Sequence, residues 1–310
     1  MQDFLEKYFS ADEPIIIGCS TGPDSMYLLY KILETKFAKN VVACYFNHNL
    51  REESIEEEKF LEKLGKEKGF KVEIANANMK EIHKNFYNSI SLEELCRQKR
   101  YEFFDAILHI YGAKKILLAH HLDDKIETFF FNLARGSKLT GLINMQENSG
   151  AILRPLLGIT KAEILEYLEK NGLEYKIDKT NFENDFTRNK IRNIILPNFS
   201  EINKNYKKNI SNFMNYLAEI KDFVDFEVKK FLRENSTEKY FLIKEFNELS
   251  DFLKKEVVRY IFYISNGNST IGLSEANIQE VIKFINGKNS KTKKEIKSMS
   301  LRKEKGKIWY

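Results

Sequence analysis

The segment from Pro14 to Met26 constrains this chain most, because an apolar run, a short polar turn and the start of a helix follow one another directly. Three consecutive isoleucines end at a Gly-Cys pair, which is typical of a buried strand. Gly22 can adopt backbone angles that other residues avoid, and Asp24 and Ser25 suit a first helical turn. Free N–H groups at a helix N-terminus attract anions, so this turn predicts a phosphate cradle. An ordinary strand–turn–helix junction accounts for the same residues equally well.

The composition places the chain among globular proteins. Its 310 residues are 43% hydrophobic and 31% charged, enough for one large domain and a smaller one. The first seven residues are polar and amphipathic, and no apolar run approaches the roughly 18 residues that a membrane span needs. We therefore expect a cytoplasmic protein without a membrane partner.

The cysteines argue against redox or metal chemistry. Cys19, Cys44 and Cys96 form no C-x-x-C pair and show no zinc-ligand spacing. They are expected to be small buried side chains.

The positive charge is concentrated at one end. The net charge is +5, yet residues 288–310 alone contain nine basic and two acidic residues. Such a basic segment favours a polyanionic partner, and Lys291, Lys293 and Lys294 are its candidate contacts. A solvated lysine-rich surface is the equally weighted alternative.

Strand-like and helical patterns alternate along the first half of the chain. Apolar runs at 15–19, 41–46, 71–74 and 116–119 are each followed by a helical pattern. This alternation predicts an α/β fold, a doubly wound parallel sheet, in which ligands bind at the carboxyl ends of the strands. We expect a catalytic domain over 1–200, a helical linker over 201–240 and a small α+β domain over 241–310.

A second polar cluster follows the strand at 116–119. Asp124 and Glu127 are three residues apart and share a helix face, where they could bind an ammonium group or Mg²⁺. Capping of that helix by Asp123 or Asp124 is the structural alternative. His120 and His121 are weaker metal candidates, because adjacent residues at a strand end face opposite ways.

Arginines recur at helical spacing in two further places. Arg97 and Arg100 share a predicted helix over 92–110, where they would bind phosphate or pair with Glu93, Glu94 or solvent. The 188–192 segment places two guanidiniums and an amide on one helix face at three- and four-residue spacing, for which surface salt bridges are the structural alternative. Its three residues are Arg188, Asn189 and Arg192.

Taken together, these motifs resemble the tRNA(Ile)-lysidine synthetase family of PP-loop ATPases. The resemblance covers about the first two-thirds of the chain, and the last domain is similar to that family's first C-terminal domain. The turn lacks the Gly-x4-Gly-Lys-Ser/Thr pattern of a Walker A loop. The matching segments are STGPDS at 20–25, FNHNLR at 46–51, HHLDDKIET at 120–128, RGS at 135–137, RPLL at 154–157, DKTN at 178–181 and RNKIR at 188–192.

The resemblance implies an ATP-dependent ligase. In this family ATP adenylates the C2 oxygen of the wobble cytidine in a CAU-anticodon isoleucine tRNA, and L-lysine then displaces AMP to form lysidine. ATP and Mg²⁺ would be required, and a homodimer stays open. The alternatives are another PP-loop adenylating enzyme, such as a tRNA thiolase, and a non-catalytic tRNA-binding relative.

The resemblance also assigns expected roles to single residues. The catalytic set is Asp24, Arg100, Asp124, Glu127 and Arg192; ATP would be bound by Ser20, Thr21, Gly22, Pro23, Asp24, Ser25, Asn47 and His48; lysine by Asp24, Asp124 and Glu127; tRNA by Arg188, Asn189, Arg192, Lys291, Lys293 and Lys294; and Mg²⁺ by Asp24. Three residues depart from the family pattern: Thr21 in place of Gly, Lys125 in place of Gln and Phe186 in place of Tyr.

Overall fold

The structure is a computed structural model. It describes residues 1–51, 53–87, 89–143, 145–176, 189–234, 239–287 and 292–310, with 233 and 234 described by their backbone only. Within these ranges the chain forms two compact units, Met1–Met214 and Asn215–Tyr310. The division at residues 200 and 240 that the sequence suggests stays a prediction. Every helix in the described ranges is too short or too polar to cross a lipid bilayer.

The first unit is built on a six-stranded sheet of order β3-β2-β1-β4-β6-β5. All neighbouring strands pair in parallel except the short edge strand β5, which is antiparallel to β6. The predicted α/β class is therefore confirmed. The strands are β1 (Ile15–Gly18), β2 (Val41–Asn47), β3 (Lys71–Asn76), β4 (Ile116–Leu117), β5 (Asn148–Ser149) and β6 (Ile152–Leu153).

Helices cover both faces of this sheet, because alternate residues of each strand point to opposite sides. Ile15 and Ile17 belong to one buried cluster, and Ile16 between them belongs to another. The first unit contains the helices α1 (Gln2–Tyr8), α2 (Pro23–Leu33), α3 (Ser54–Lys68), α4 (Met79–Phe86), α5 (Leu92–Ile110), α6 (Leu122–Ala134), α7 (Leu139–Leu142), α8 (Lys161–Lys170) and α9 (Leu196–Ile202).

Two of these helices begin where the sequence predicts: α5 starts at residue 92, and α8 follows the capping-box pattern that Thr160 and Glu163 form in the sequence. Helix α5 has the predicted bounds and is capped by Ser91, whose hydroxyl accepts a hydrogen bond from Glu94 N at 3.1 Å. Helix α8 begins with the predicted capping box, in which Thr160 Oγ1 accepts from Glu163 N at 3.2 Å and Glu163 Oε2 accepts from Thr160 N at 2.7 Å. These caps place Lys161 at the first helical position.

The pattern at 202–232, which left one helix or a hairpin open, forms a single helix, α10 (Tyr206–Glu234). The second unit continues with three helices and a four-stranded antiparallel sheet of order β7-β10-β9-β8. Its elements are β7 (Tyr240–Leu242), α11 (Ile243–Glu248), α12 (Asp251–Ser265), α13 (Glu275–Asn286), β8 (Lys293–Ile296), β9 (Met299–Glu304) and β10 (Lys307–Trp309).

One local prediction was wrong in the second unit. The sequence pattern suggested one extended segment over 295–301, but a tight turn at Lys297 and Ser298 separates β8 from β9. Lys297 has a φ of 51°, in the left-handed region. Hairpin turns usually place Asn or Gly in this conformation, so a lysine gives no sequence signal for the turn.

Candidate active site

The turn between β1 and α2 is held by its own hydroxyl groups. Ser25 Oγ donates to Gly22 O at 3.0 Å and accepts from Ser20 N at 3.1 Å, and the two serine hydroxyls lie 3.3 Å apart. No described side chain caps helix α2, and Pro23 occupies its first turn. The backbone N–H groups of Asp24 and Ser25 therefore have no acceptor within the helix. This geometry suits an anion.

Thr21 adopts the left-handed conformation that its position in the turn requires. Its φ is 61° and its side chain is fully buried. This conformation is unfavourable for a β-branched residue. Two hydrogen bonds hold it: Thr21 Oγ1 donates to Ser20 O at 2.6 Å, and Thr21 O accepts from Lys176 N at 2.9 Å. The departure from Gly is thus accommodated with local strain.

Asp24 lies at the start of α2 and faces two cationic or titratable groups. Lys161 Nζ donates to Asp24 Oδ1 at 2.5 Å, and His121 Nε2 lies 3.7 Å from the same oxygen. Both contacts involve Oδ1, so Asp24 Oδ2 remains available to a ligand. The carboxylate is about one-third exposed, so it is open to a ligand from solvent.

The N-terminus of α6 gathers two further carboxylates. Asp124 Oδ2 accepts a hydrogen bond from His121 N at 3.0 Å and lies 3.5 Å from His121 Nε2. The structural alternative of helix capping is therefore realised for Asp124. Asp123 instead accepts from Lys161 N at 2.9 Å, at the N-terminus of α8, and pairs with Lys207.

Glu127 is the most buried carboxylate of the cluster, with a side chain only 5% exposed. Arg192 holds it with two hydrogen bonds, from Nε to Oε1 at 2.6 Å and from Nη2 to Oε2 at 2.8 Å. Arg192 Nη2 also lies 3.9 Å from Asp124 Oδ1. Arg192 belongs to a π-helix over Ile191–Ile195. The structure thus brings Asp124, Glu127 and Arg192 together, as their shared prediction as catalytic residues requires.

Burial sets the protonation tendencies of this cluster. It raises the pKa of Asp124 and of Glu127 above their ordinary values, although Arg192 opposes the shift at Glu127. Burial also acts on Asp123, but the hydrogen bonds from Lys207 and the Lys161 amide outweigh it and lower its pKa. A carboxylate with a raised pKa is a better proton acceptor, which favours Asp124 and Glu127 over Asp123 in that role.

The residues after β2 form a local turn. Asn47 Oδ1 accepts from Asn49 N at 2.8 Å, a local side-chain bond that is common in turns. Asn47 Nδ2 donates to Glu58 Oε1 at 2.6 Å. Burial and the nearby Arg100 lower the pKa of His48 to about 4, so this ring is neutral near pH 7.

Three arginines lie near the two neutral histidines at this sheet edge. Within the described ranges, none of Arg97, Arg100 and Arg154 forms an ion pair with a carboxylate, and Glu93 and Glu94 do not neutralise them. Burial, with help from these arginines, lowers the pKa of His120 to about 3. The described side chains contain four buried polar atoms without a partner: His48 Nδ1, His120 Nδ1, His121 Nδ1 and Arg154 Nε. Such orphaned atoms are rare in native proteins and are expected where a ligand or water binds.

These features fit a nucleoside triphosphate. The uncapped α2 N-terminus can receive a pyrophosphate, and the unpaired arginines can neutralise a phosphate. For Mg²⁺ the fit is a single carboxylate oxygen of Asp24, which is sufficient because Mg²⁺ is commonly held by one or two carboxylates, phosphate oxygens and water. Among the described residues, no group of three His, Cys, Asp or Glu side chains forms a protein-only metal site.

The remaining predicted contacts are spread more widely. Asn189 lies just before the π-helix, and Lys293 and Lys294 lie on β8 of the second unit. Lys293 is 63% exposed and pairs with the equally exposed Glu295 at 2.6 Å, whereas the less exposed Lys294 pairs with Glu280 of helix α13. Arg188 and Lys291 lie outside the described residues, as do the DKTN segment and Phe186.

Sequence reasoning missed several members of the cluster. It weighed His121, together with His120, only as a weak metal candidate and gave Lys161, Lys207 and Arg154 no role in the site. Thr160 gave a usable signal, since its capping box fixes Lys161 at a helix start. His121 gave a weaker signal, because it follows the predicted strand at 116–119. In the structure it forms an isolated parallel β-bridge with Leu156.

Comparison with known proteins agrees with this fold. Residues 1–199 match the family model described as a PP-loop domain. The chain belongs to the PP-loop family. The described cysteines of this PP-loop chain are all buried, as expected, and burial raises the pKa of each thiol.

Curated relatives of this PP-loop chain include two enzymes named tRNA(Ile)-lysidine synthase. The one from Bacteroides thetaiotaomicron is 38% identical over 216 residues, covering 69% of this chain and 50% of that protein. The one from Bacillus subtilis is 35% identical over 233 residues, covering 72% and 49%. The chain thus spans about half the length of these relatives.

A solved structure shares the fold. The U34-tRNA thiolase NcsA from Methanococcus maripaludis, determined with its [4Fe-4S] cluster, aligns with a TM-score of 0.57 and 19% identity, over 69% of this chain and 75% of that one. At this identity the likeness concerns the fold alone. It fits the doubly wound sheet that the strand–helix alternation predicts.

Proposed function

We propose that this protein ligates L-lysine to C2 of the wobble cytidine, C34, of a CAU-anticodon tRNA(Ile), using ATP and forming lysidine. The observation that carries the proposal is the meeting of the PP-loop turn with three carboxylates at one sheet edge, where Asp24 and Asp124 both lie within 3.7 Å of His121. The names of the curated relatives support the same assignment.

In the first step the C2 oxygen of the cytidine attacks the α-phosphorus of ATP. An O–P bond forms, the α–β phosphoanhydride bond breaks, and pyrophosphate leaves with the electron pair. The uncapped amides of α2 and the Ser20 hydroxyl would bind that pyrophosphate, while Ser25 Oγ, which donates to Gly22 O, would hold the turn in shape. Asp24 offers one oxygen to Mg²⁺, which would neutralise phosphate charge, and Arg100 offers an unpaired guanidinium to the α-phosphate.

In the second step the lysine ε-amino group attacks C2. A C–N bond forms, the C2–O bond to the adenylate breaks, and AMP leaves. The ammonium must lose a proton before it can attack, so a nearby carboxylate has to bind it and accept that proton. Asp124 suits this role best, because Lys161 already pairs with Asp24 and Arg192 engages both oxygens of Glu127.

The direct test is to incubate the protein with ATP, Mg²⁺, lysine and an unmodified CAU-anticodon tRNA(Ile) transcript, and to search the digested RNA for lysine mass on cytidine. We expect one adduct, at the wobble position. An adduct elsewhere, or none, would contradict the proposal. ATP–pyrophosphate exchange without an adduct would favour another PP-loop adenylating enzyme, and the absence of both would favour a non-catalytic tRNA-binding protein.

The same assay tests the role of Asp124. Asp124→Ala should abolish lysine transfer, by more than about 100-fold, while tRNA binding stays within about twofold. Asp105→Ala removes an exposed carboxylate from α5 and is the matched control, with activity unchanged. Equal turnover of the wild type and Asp124→Ala would exclude Asp124 as the lysine-binding base.

A further inference from the structure

The sheet of the second unit has one face in the core and one open face. Alternate residues of its strands point to opposite sides, and Phe241, Leu301 and Ile308 are nearly fully buried on the core side. Their neighbours along the strands point the other way. The outward residues are Tyr240 and Leu242 on β7, Lys307 and Trp309 on β10, Ser300, Arg302 and Glu304 on β9, and Lys293 and Glu295 on β8.

Four of these outward residues line up across the sheet. Trp309 pairs with Tyr240 on one side and with Arg302 on the other, and Arg302 pairs with Lys293. We call Tyr240, Trp309, Arg302 and Lys293 the aromatic row. The ring centroids of Tyr240 and Trp309 are 5.0 Å apart, and the Arg302 guanidinium lies 5.4 Å from the Trp309 ring. Neighbouring Lys307 Nζ lies 4.0 Å from the Tyr240 ring.

The two rings of this row do not belong to the hydrophobic core. The core cluster of the second unit and the side chains packed against it include neither Tyr240 nor Trp309. Both rings are half-buried, and they contact each other and the cationic groups of Arg302 and Lys307. Aromatic rings that carry cations on an open sheet face are a stacking platform for bases in proteins that bind single strands.

Charge supports an anionic partner at this face. The nine basic residues of 288–310 face only two acidic ones, and two of the nine point inward for structural reasons. Lys303 Nζ donates to the carbonyls of Ile285 and Gly287 at the end of α13, and Lys294 pairs with Glu280 on the same helix. Lys293 and Arg302 of the aromatic row and neighbouring Lys307 lie on the open face, together with two exposed carboxylates. Glu295 pairs with Lys293 at 2.6 Å and Glu304 with Arg302 at 3.6 Å, so three cations face two anions there.

We infer that this open face binds an unpaired segment of RNA, with a base stacked on the Trp309 and Tyr240 rings and the backbone phosphates on Arg302, Lys307 and Lys293. The inference deepens the proposed function, since it names the part of an RNA substrate that the second unit would hold. Lys294 takes no part in this binding, because it pairs with Glu280 on α13.

Trp309 is the only tryptophan of the chain, so its fluorescence reports on this face alone. We expect an unstructured 12-nucleotide RNA, titrated into the full chain without ATP or lysine, to quench Trp309 by about half, as base stacking does. A blunt RNA duplex, inorganic polyphosphate and poly-glutamate should each quench it by less than about one-tenth of that. Equal quenching by the duplex or polyphosphate would overturn the stacking proposal, and equal quenching by poly-glutamate would indicate an acidic protein partner instead.

Two variants test which side chains bind. Arg302→Gln should weaken the affinity for the single strand about tenfold, and Tyr240→Ala about fivefold with an unchanged salt dependence. Lys283→Gln removes one exposed charge from α13 and should stay within twofold. Equal losses in Arg302→Gln and Lys283→Gln would refute a specific site. The fluorescence titration needs neither ATP nor lysine. Its result therefore tests RNA binding even if the protein does not form lysidine.

Discussion

Thr21 combines an unfavourable backbone conformation with a buried side chain at the heart of the phosphate turn. A left-handed non-glycine residue costs about 1 kcal/mol or more, and such strain persists only where the surroundings impose it. Here two hydrogen bonds impose it: the Thr21 hydroxyl donates to Ser20 O, and the backbone N–H of Lys176 donates to Thr21 O. The side chain therefore both causes strain and offsets part of it.

Substitution at this residue should separate the two effects. Thr21→Gly relieves the strain but loses the hydroxyl bond, so we expect the free energy of unfolding to change by less than about 1 kcal/mol. Thr21→Val keeps the branched side chain and loses only the hydroxyl, so it should destabilise by about 1–2 kcal/mol. Urea denaturation measures both. Equal destabilisation by the two variants would show that strain at Thr21 is negligible.

His48 and His120 make stability depend on pH. Their pKa values are lowered to about 4 and about 3 in the folded protein, whereas an unfolded histidine titrates near 6.5. The unfolded chain therefore binds more protons below pH 6.5. The stability that the two neutral rings contribute is complete above that pH and is lost as the pH falls towards 4.

We expect the double variant His48→Gln/His120→Gln to lose less stability than the wild type between pH 6.5 and 4.5, by about 4 kcal/mol in total. The measurement is urea denaturation at several pH values. His109→Gln, which removes an exposed ring from α5, is the control and should follow the wild type. Parallel curves for the double variant and the wild type would contradict the neutral state of these rings.

At the scale of elements, three helices start at the same sheet edge, and their N-termini are capped differently. Helix α6 is capped by its own Asp124, and α8 by Thr160 together with Asp123. Helix α2 has no side-chain cap. The only one of these three N-termini without a side-chain partner is thus the one whose turn the sequence identifies as a phosphate cradle.

The cap of α8 also positions Lys161 towards Asp24. Thr160→Ala should destabilise the protein by about 1 kcal/mol, because α8 loses its cap. It should also raise the KM for ATP several-fold, because Lys161, the first residue of α8, is then held less firmly beside Asp24. Ser250→Ala removes a similar cap from α12, whose hydroxyl accepts from Leu253 N. It should cost similar stability without changing the KM. A KM that is unchanged in Thr160→Ala would show that Lys161 does not depend on this cap.

At the scale of the molecule, charge and chemistry lie in different units. The carboxylate and arginine clusters belong to Met1–Met214, and the basic segment belongs to Asn215–Tyr310. The proposed ligation needs both kinds of surface, because a polyanionic RNA must be held while one of its bases reacts. In the proposed ligation the basic segment would supply salt-dependent affinity, and the first unit would supply the reacting groups.

Two neighbouring lysines test this division. Lys293→Gln should reduce the slope of log affinity for tRNA against log salt by about 0.7–0.9, the value for one lost phosphate contact. Lys294→Gln should leave the slope unchanged, since Lys294 is only 23% exposed and pairs with Glu280 of α13, whereas Lys293 is 63% exposed on the open face with its partner Glu295. Filter binding at several salt concentrations measures both. A larger effect from Lys294→Gln would contradict the orientation of β8.

Local sequence signals predicted much of this architecture. The apolar runs gave the parallel strands, the bounds of α5 were correct, and Thr160 with Glu163 identified the start of α8. These features depend on neighbours three or four residues apart. The β8–β9 turn escaped prediction, because Lys297 adopts its left-handed conformation without the residue types that usually announce one.

The sequence by itself determined the class of fold, the phosphate turn and the carboxylates that follow β4, because each is encoded within a short stretch of chain. Only the tertiary structure decided which charges meet. Arg192 reaches Glu127 from 65 residues away, and Lys161 reaches Asp24 from 137 residues away. No local pattern specifies such pairs, since they arise where the parallel sheet brings separate strand ends and helix starts to one edge.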